Sequence, residues 1–97
     1  MNYSLAPEAQ EELMEGARRY AEMASRELGL AFIAEVERVA ELLCIHPQLG
    51  VRWRGATRRF PLRRFRHSLI YLVRPDEIRI IAVAHQRRRP GYWHGRQ

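Results

Sequence analysis

Residues 65–85 read FRHSLIYLVRPDEIRIIAVAH, two runs rich in β-branched, aliphatic and aromatic residues on either side of Arg74-Pro75-Asp76-Glu77. Pro75 presets the φ of a tight turn and Asp76 is a favoured turn residue, so the stretch reads as an antiparallel hairpin of Phe65–Val73 and Ile78–His85. With Pro75 and Asp76 at the centre, Val73 faces Ile78, Tyr71 faces Ile80, Leu69 faces Ala82 and His67 faces Ala84. That face is almost wholly apolar and must be covered, with His67 as a hydrogen-bonded core residue. The opposite face pairs Leu72 with Arg79, Ile70 with Ile81, Ser68 with Val83, Arg66 with His85 and, on a continued ladder, Arg64 with Arg87. Cationic groups therefore collect at the end remote from the turn.

The cover is legible upstream. Pro7 suits the first position of a helix, and Leu13, Ala17, Tyr20, Ala21, Ala24 and Leu28 then recur at helical spacing. Glu15/Arg19 and Glu22/Arg26 are i,i+4 pairs on its wet side, and Gly29 is expected to end it. Phe32, Val36, Val39 and Leu43 repeat the pattern until Pro47 and Gly50 stop a second helix near His46. Tyr3–Leu5 is a short first strand; Arg58–Leu62 is another, in which Pro61 marks an edge or a bulge. The reading is an α+β fold in the order β-α-α-β-β-β, an N-terminal helical hairpin packed on a small antiparallel sheet, with residues 1–97 as one domain.

Charge is segregated along this plan. Residues 1–45 carry nine Glu against four Arg, whereas residues 46–97 carry thirteen Arg against Asp76 and Glu77. Every basic residue is arginine, which suits bidentate contact to carboxylate or phosphate, although codon bias would give the same composition. The lone Cys44, set among Leu42, Leu43 and Ile45, reads as a small buried hydrophobe with no disulfide partner. No signal peptide and no span of about 20 apolar residues is present, so a soluble, cytoplasmic chain without membrane contact is expected. His46, His67, His85 and His94 lack ligand spacing and a thiol or carboxylate neighbour, so no metal and no cofactor is expected. No phosphate loop or nucleophile elbow occurs, and both helices are net acidic, so sequence-specific DNA binding by this chain alone is not expected.

What remains is a constellation at the open end of the hairpin and in the tail: Arg64, Arg66, His85 and Arg87, then Arg88, Arg89, Tyr92 and Trp93. Arginines there can hold phosphates or stabilise a transition-state charge, a histidine or tyrosine can move a proton, and an aromatic ring can stack on a base. The competing reading is structural: solvated or helix-paired arginines, with Tyr92 and Trp93 pinning the tail to the core. As a binding surface, the same residues suit RNA or an acidic protein segment.

Arg58-Arg59-Phe60-Pro61-Leu62-Arg63-Arg64-Phe65, Leu69-Ile70-Tyr71, Ile78 through His85 and the closing Arg87-Arg88-Arg89-Pro90-Gly91-Tyr92-Trp93 together resemble the RelE/ParE toxin superfamily, most closely its ParE-like branch. Pro7-Glu8-Ala9 and His46-Pro47-Gln48-Leu49-Gly50 agree in the N-terminal half. The resemblance covers nearly the whole chain and implies the toxin of a type II toxin-antitoxin system, involved in growth inhibition and plasmid stabilisation. It also implies a cognate acidic, ParD-like antitoxin that wraps the toxin. ParE-like members are associated with inhibition of DNA gyrase, the function expected here; RelE-like members cut mRNA on the ribosome, the alternative, and an inactive partner-binding relic is the third. For target or antitoxin binding, Arg64, Arg66, Arg87, Arg88, Arg89 and Trp93 are the candidates. For a nuclease they are Arg64, Arg66, His85, Arg87 and Tyr92. Ser68 stands where a RelE-like alignment would place a catalytic arginine, which weighs against an enzyme. Ala6 replaces a common capping Ser, so a somewhat frayed helix start is expected.

Overall fold

The computed structural model describes all 97 residues. The elements are β1 (Asn2–Leu5), α1 (Pro7–Met23), α2 (Arg26–Ile45), β2 (Val51–Arg52), β3 (Arg58–Pro61), β4 (His67–Val73) and β5 (Glu77–His85). The β-α-α-β-β-β order holds, with the two-residue β2 added at one edge. The sheet runs β1-β5-β4-β3-β2, and it is mixed, because β1 lies parallel to β5 while the other neighbours are antiparallel. Pro61 ends β3 opposite Ser68, beyond the reach of β2, where its missing N–H leaves no ladder bond unmade.

Both helices cover one face of this sheet. Leu13, Phe32, Val36, Val39 and Leu43 meet Leu69, Tyr71, Ile78, Ile80 and Val83 in the main core. Each such fully buried aliphatic or aromatic side chain contributes roughly 1.5–3 kcal/mol relative to exposure. Tyr71 adds a polar anchor: its buried hydroxyl accepts the Gly50 N–H (2.9 Å) and donates to the Pro47 carbonyl (2.8 Å), fixing the loop after α2. The other face carries a smaller cluster of Ile70, Ile81, Ala82 and Ala84 under Trp93.

The hairpin register changes part-way. Val73, Leu72 and Tyr71 face Ile78, Arg79 and Ile80 as the turn dictates, but Ile70 then faces Ala82, Leu69 faces Val83 and His67 faces His85. Ile81 is the extra residue of a β-bulge. Because side chains alternate, one inserted residue reverses the face of everything beyond it. Val83 and His85 therefore turn toward the helices, and Ala82 and Ala84, expected in the main core, turn toward Trp93. Arg66 does not pair with His85; its carbonyl instead accepts the Gln86 N–H at 2.9 Å.

The helix break also differs from the periodicity. α1 ends at Met23, and Ser25 caps α2 by accepting the Leu28 N–H at 3.1 Å, so Gly29 lies inside α2 rather than ending α1. The glycine is required by crossing distance: a Cβ there would sit 2.6 Å from the Ala17 carbonyl oxygen. On the wet side, Arg18 pairs with Glu15 and reaches Glu22 at 3.9 Å, replacing the expected Glu15/Arg19 and Glu22/Arg26 pairs. Ala6 supplies no side-chain cap, yet it is fully buried and its N–H donates to the Ile80 carbonyl at 2.8 Å, so β5 holds the start of α1. Cys44 is only half-buried, packed on the margin of the main core.

Gly29→Ala improves intrinsic helix propensity but drives a methyl into the α1 backbone. The substitution is expected to destabilise the protein by about 1–3 kcal/mol, read as a lowered urea midpoint at unchanged m-value.

Candidate functional site

α1 is acidic along the side that faces the open end of the hairpin, and the bulge turns His85 to the same side. The result is a groove of about 1060 Å³ with Glu8, Glu11 and Glu15 on one wall and Arg64, Arg66, Arg87 and Arg88 on the other. His67, Val83 and His85 form its floor, and Tyr92 and Arg96 close it from the tail. Glutamates of α1 facing arginines of the sheet end, with five exposed guanidinium groups, Arg19 of α1 among them, left outside any ion pair, suit an amphipathic ligand that carries carboxylates or phosphates.

The two floor histidines are cross-strand partners with ring centroids 4.9 Å apart and planes at 86°. His67 leans on Phe32 (4.8 Å) and Tyr20 (6.0 Å), and its buried Nδ1 has no hydrogen-bond partner, contrary to the expectation of a satisfied core histidine. Burial first, and the neighbouring His85 second, depress its pKa to about 4. His85 is also depressed, by burial and then by Arg87, Arg19 and Arg66. Its Nδ1 accepts the Arg87 N–H at 3.0 Å, so the neutral ring carries its proton on Nε2. At neutral pH the floor is thus uncharged and the positive charge belongs to the arginines.

Glu12, one helical turn from both Glu8 and Glu15, is the organising carboxylate. Its Oε1 accepts the Val83 N–H (3.1 Å) and the Arg96 Nη1 (2.9 Å), and its Oε2 accepts the Tyr92 hydroxyl (2.7 Å). Arg96 Nη1 also donates to the Ile81 carbonyl at 3.1 Å. The Val83 amide and the Ile81 carbonyl, on the edge of β5 beyond the end of β1, are therefore both satisfied by one ion pair between α1 and the tail. The guanidinium groups of Arg88 and Arg96 lie 4.4 Å and 5.0 Å from the centre of the Tyr92 ring. Burial and the Glu12 carboxylate push its hydroxyl well above the ordinary tyrosine range. It is fixed as a hydrogen-bond donor.

Of the residues singled out from sequence, Arg64, Arg66, His85, Arg87, Arg88 and Tyr92 converge on the groove. Arg64 is held in left-handed backbone (φ 73°) within the β3–β4 loop, its guanidinium 5.5 Å from the Phe65 ring. Arg89 stays exposed outside the groove lining, and Trp93, only 5 % exposed, is packed under the sheet rather than presented to a partner. Glu12, Arg19, His67 and Arg96 were not legible as site residues. Glu12 sits in a run of five glutamates that look equally solvated, and nothing local to Arg96 announces a partner 84 positions away.

The sequence profile of the ParE toxin of type II toxin-antitoxin systems, parDE, matches residues 3–90. The chain belongs to the ParE toxin family. A solved structure of the chromosomal ParDE TA system from P. aeruginosa superposes with a TM-score of 0.76 at 18% identity, covering 88% of this chain and 95% of that one. At that identity the likeness is one of fold. No curated protein matches the sequence. No helix of this ParE-family protein is long and apolar enough to cross a membrane.

Glu12→Ala leaves a tyrosine hydroxyl, a strand amide and a guanidinium without their acceptor. It is expected to cost about 3–5 kcal/mol in a urea titration and to shift Trp93 emission to the red at low urea, whereas Tyr92→Phe is expected to cost only about 1 kcal/mol. The His67 pKa lies below its unfolded value, so the unfolded chain binds the proton first as pH falls. Stability is expected to drop, on the order of 2 kcal/mol, between pH 6.5 and pH 4, then to lose no more through this residue; a His67→Phe variant should show a visibly flatter profile over that range in thermal melts.

Proposed function

We propose that this ParE-family toxin arrests growth in the cytoplasm by binding DNA gyrase and breaks no bond itself, and that a cognate acidic antitoxin silences it by direct contact. The observation that carries the reading is the state of Tyr92. In a nuclease its hydroxyl would be a proton-transfer group, but here it donates to Glu12 rather than into the open groove and its pKa is raised, which disfavours proton loss near neutral pH. Ser68, partly buried near the start of β4, supplies no cation where a RelE-like nuclease would carry one. The arginines of the groove then serve recognition: Arg64, Arg66, Arg87 and Arg88 meet the carboxylates of an amphipathic antitoxin segment, while the α1 glutamates meet its basic side chains.

Purified toxin is expected to inhibit gyrase supercoiling in a concentration-dependent way and to lose that effect on titration with the antitoxin. Combining Arg66→Ala with Arg87→Ala should weaken antitoxin binding at least tenfold and steepen no part of its salt dependence. Intact supercoiling at saturating toxin, together with fragmented mRNA in induced cells, would replace this reading with the ribonuclease.

A further inference from the structure

Away from the groove, the β2–β3 edge bears a second basic surface with a different chemistry. Trp53 is the only aromatic residue among the exposed large hydrophobic side chains, at 37 % exposure, and the Arg59 guanidinium lies over its ring at 4.4 Å. Arg59 faces Ile70 across the ladder, so this stack stands on the side of the sheet that Trp93 covers, opposite the helices. Arg54 extends from the same loop to the tail turn, where a Cβ on Gly91 would lie 3.4 Å from its Cδ and Nη1. Arg89 is two residues before that turn. Arg54, Arg59 and Arg89 are all exposed and none forms an ion pair. No Asp or Glu occurs between Glu41 and Asp76 to neutralise them.

The platform is held in place before any ligand arrives. The Trp53 N–H donates to the Thr57 carbonyl (2.9 Å), and the Thr57 N–H and Oγ1 donate to the Arg54 carbonyl (3.1 and 2.6 Å), closing a short loop in which Gly55 takes a positive φ of 60°. A loop closed in this way holds the Trp53 backbone in place, so little main-chain freedom is lost on stacking. A protein interface of useful affinity has an apolar centre, whereas the exposed apolar surface here is one indole and the edge residue Val51 among unneutralised guanidinium groups. One π-face flanked by cations matches a base followed by its phosphates.

We infer that the Trp53–Arg59 edge, extended by Arg54 toward the tail, binds single-stranded nucleic acid by stacking a base on the indole and pairing the adjoining phosphates with arginines. Stacking and phosphate contact use neither the 2′-hydroxyl nor the base edges, so DNA and RNA strands bind alike. A regular duplex binds poorly, because its bases are already stacked. The site stands apart from the gyrase reading and needs no part of the groove.

The test is fluorescence anisotropy of labelled twelve-nucleotide oligo-dT, oligo-U and a duplex of equal length at two salt concentrations, using the full chain. Expected are dissociation constants within about threefold for the two single strands and at least tenfold weaker binding of the duplex. Trp53→Ala should weaken single-strand binding about tenfold or more while Trp53→Phe keeps most of it, and Arg59→Ala should lower the salt slope by about 0.7. Arg26→Ala, which removes an equal charge from the start of α2, should change nothing. Trp53 and Arg59 are exposed, so circular dichroism is expected to report folded variants. Unchanged affinity in Trp53→Ala, preference for the duplex, or a poly-glutamate peptide that competes at equal affinity would each overturn the proposal, the last in favour of an acidic protein.

Discussion

The carboxylate of Glu12 joins three parts of the chain that share no local sequence relation. It accepts from the Val83 amide on the open edge of β5, from the tail tyrosine and from Arg96, and Arg96 returns a hydrogen bond to the Ile81 carbonyl at the bulge. Both members of the pair are largely buried, with side chains 20 % and 15 % exposed. A pair so placed gains little over an apolar replacement but is costly to break, because either charge alone would be left desolvated. Its consequence is positional: it fixes the bulge, and the bulge decides which face each later residue of β5 presents.

From that constraint the site follows. Without the extra residue, His85 would point away from the helices and Ala84 would oppose His67; with it, the two histidines meet on the floor of the groove. The same carboxylate draws Tyr92 onto α1 and so commits the hydroxyl that the ribonuclease alternative would need. Trp93, the next residue, points the other way and seals the small second core, which leaves the arginines of the tail free at the surface.

Two basic surfaces result from one arginine-rich half. One lines a groove opposite acidic α1, where arginines and glutamates face each other across a gap. The other, around Trp53 and Arg59, faces no carboxylate and offers a flat ring instead of a cleft. The shared composition conceals this difference, since it depends on which side of the sheet each arginine occupies.

Periodicity, turn chemistry and charge segregation were sufficient for the β-α-α-β-β-β order, the helical cover, the Pro75-Asp76 turn and the register of the three pairs nearest to it, because each is written in residues close together in the chain. The ParE-like motifs, also local, carried the family. Four features were decided only by tertiary contact: the bulge at Ile81, the seat of Gly29 within α2, the burial of Trp93 and the role of Glu12. A bulge costs the strand its own ladder bonds and persists only where outside partners replace them, and those partners lie in α1 and at the chain's end. A glycine that admits a crossing helix looks the same in sequence as one that ends a helix. The face on which a charged or aromatic side chain emerges, and hence what it can bind, was settled by these distant contacts.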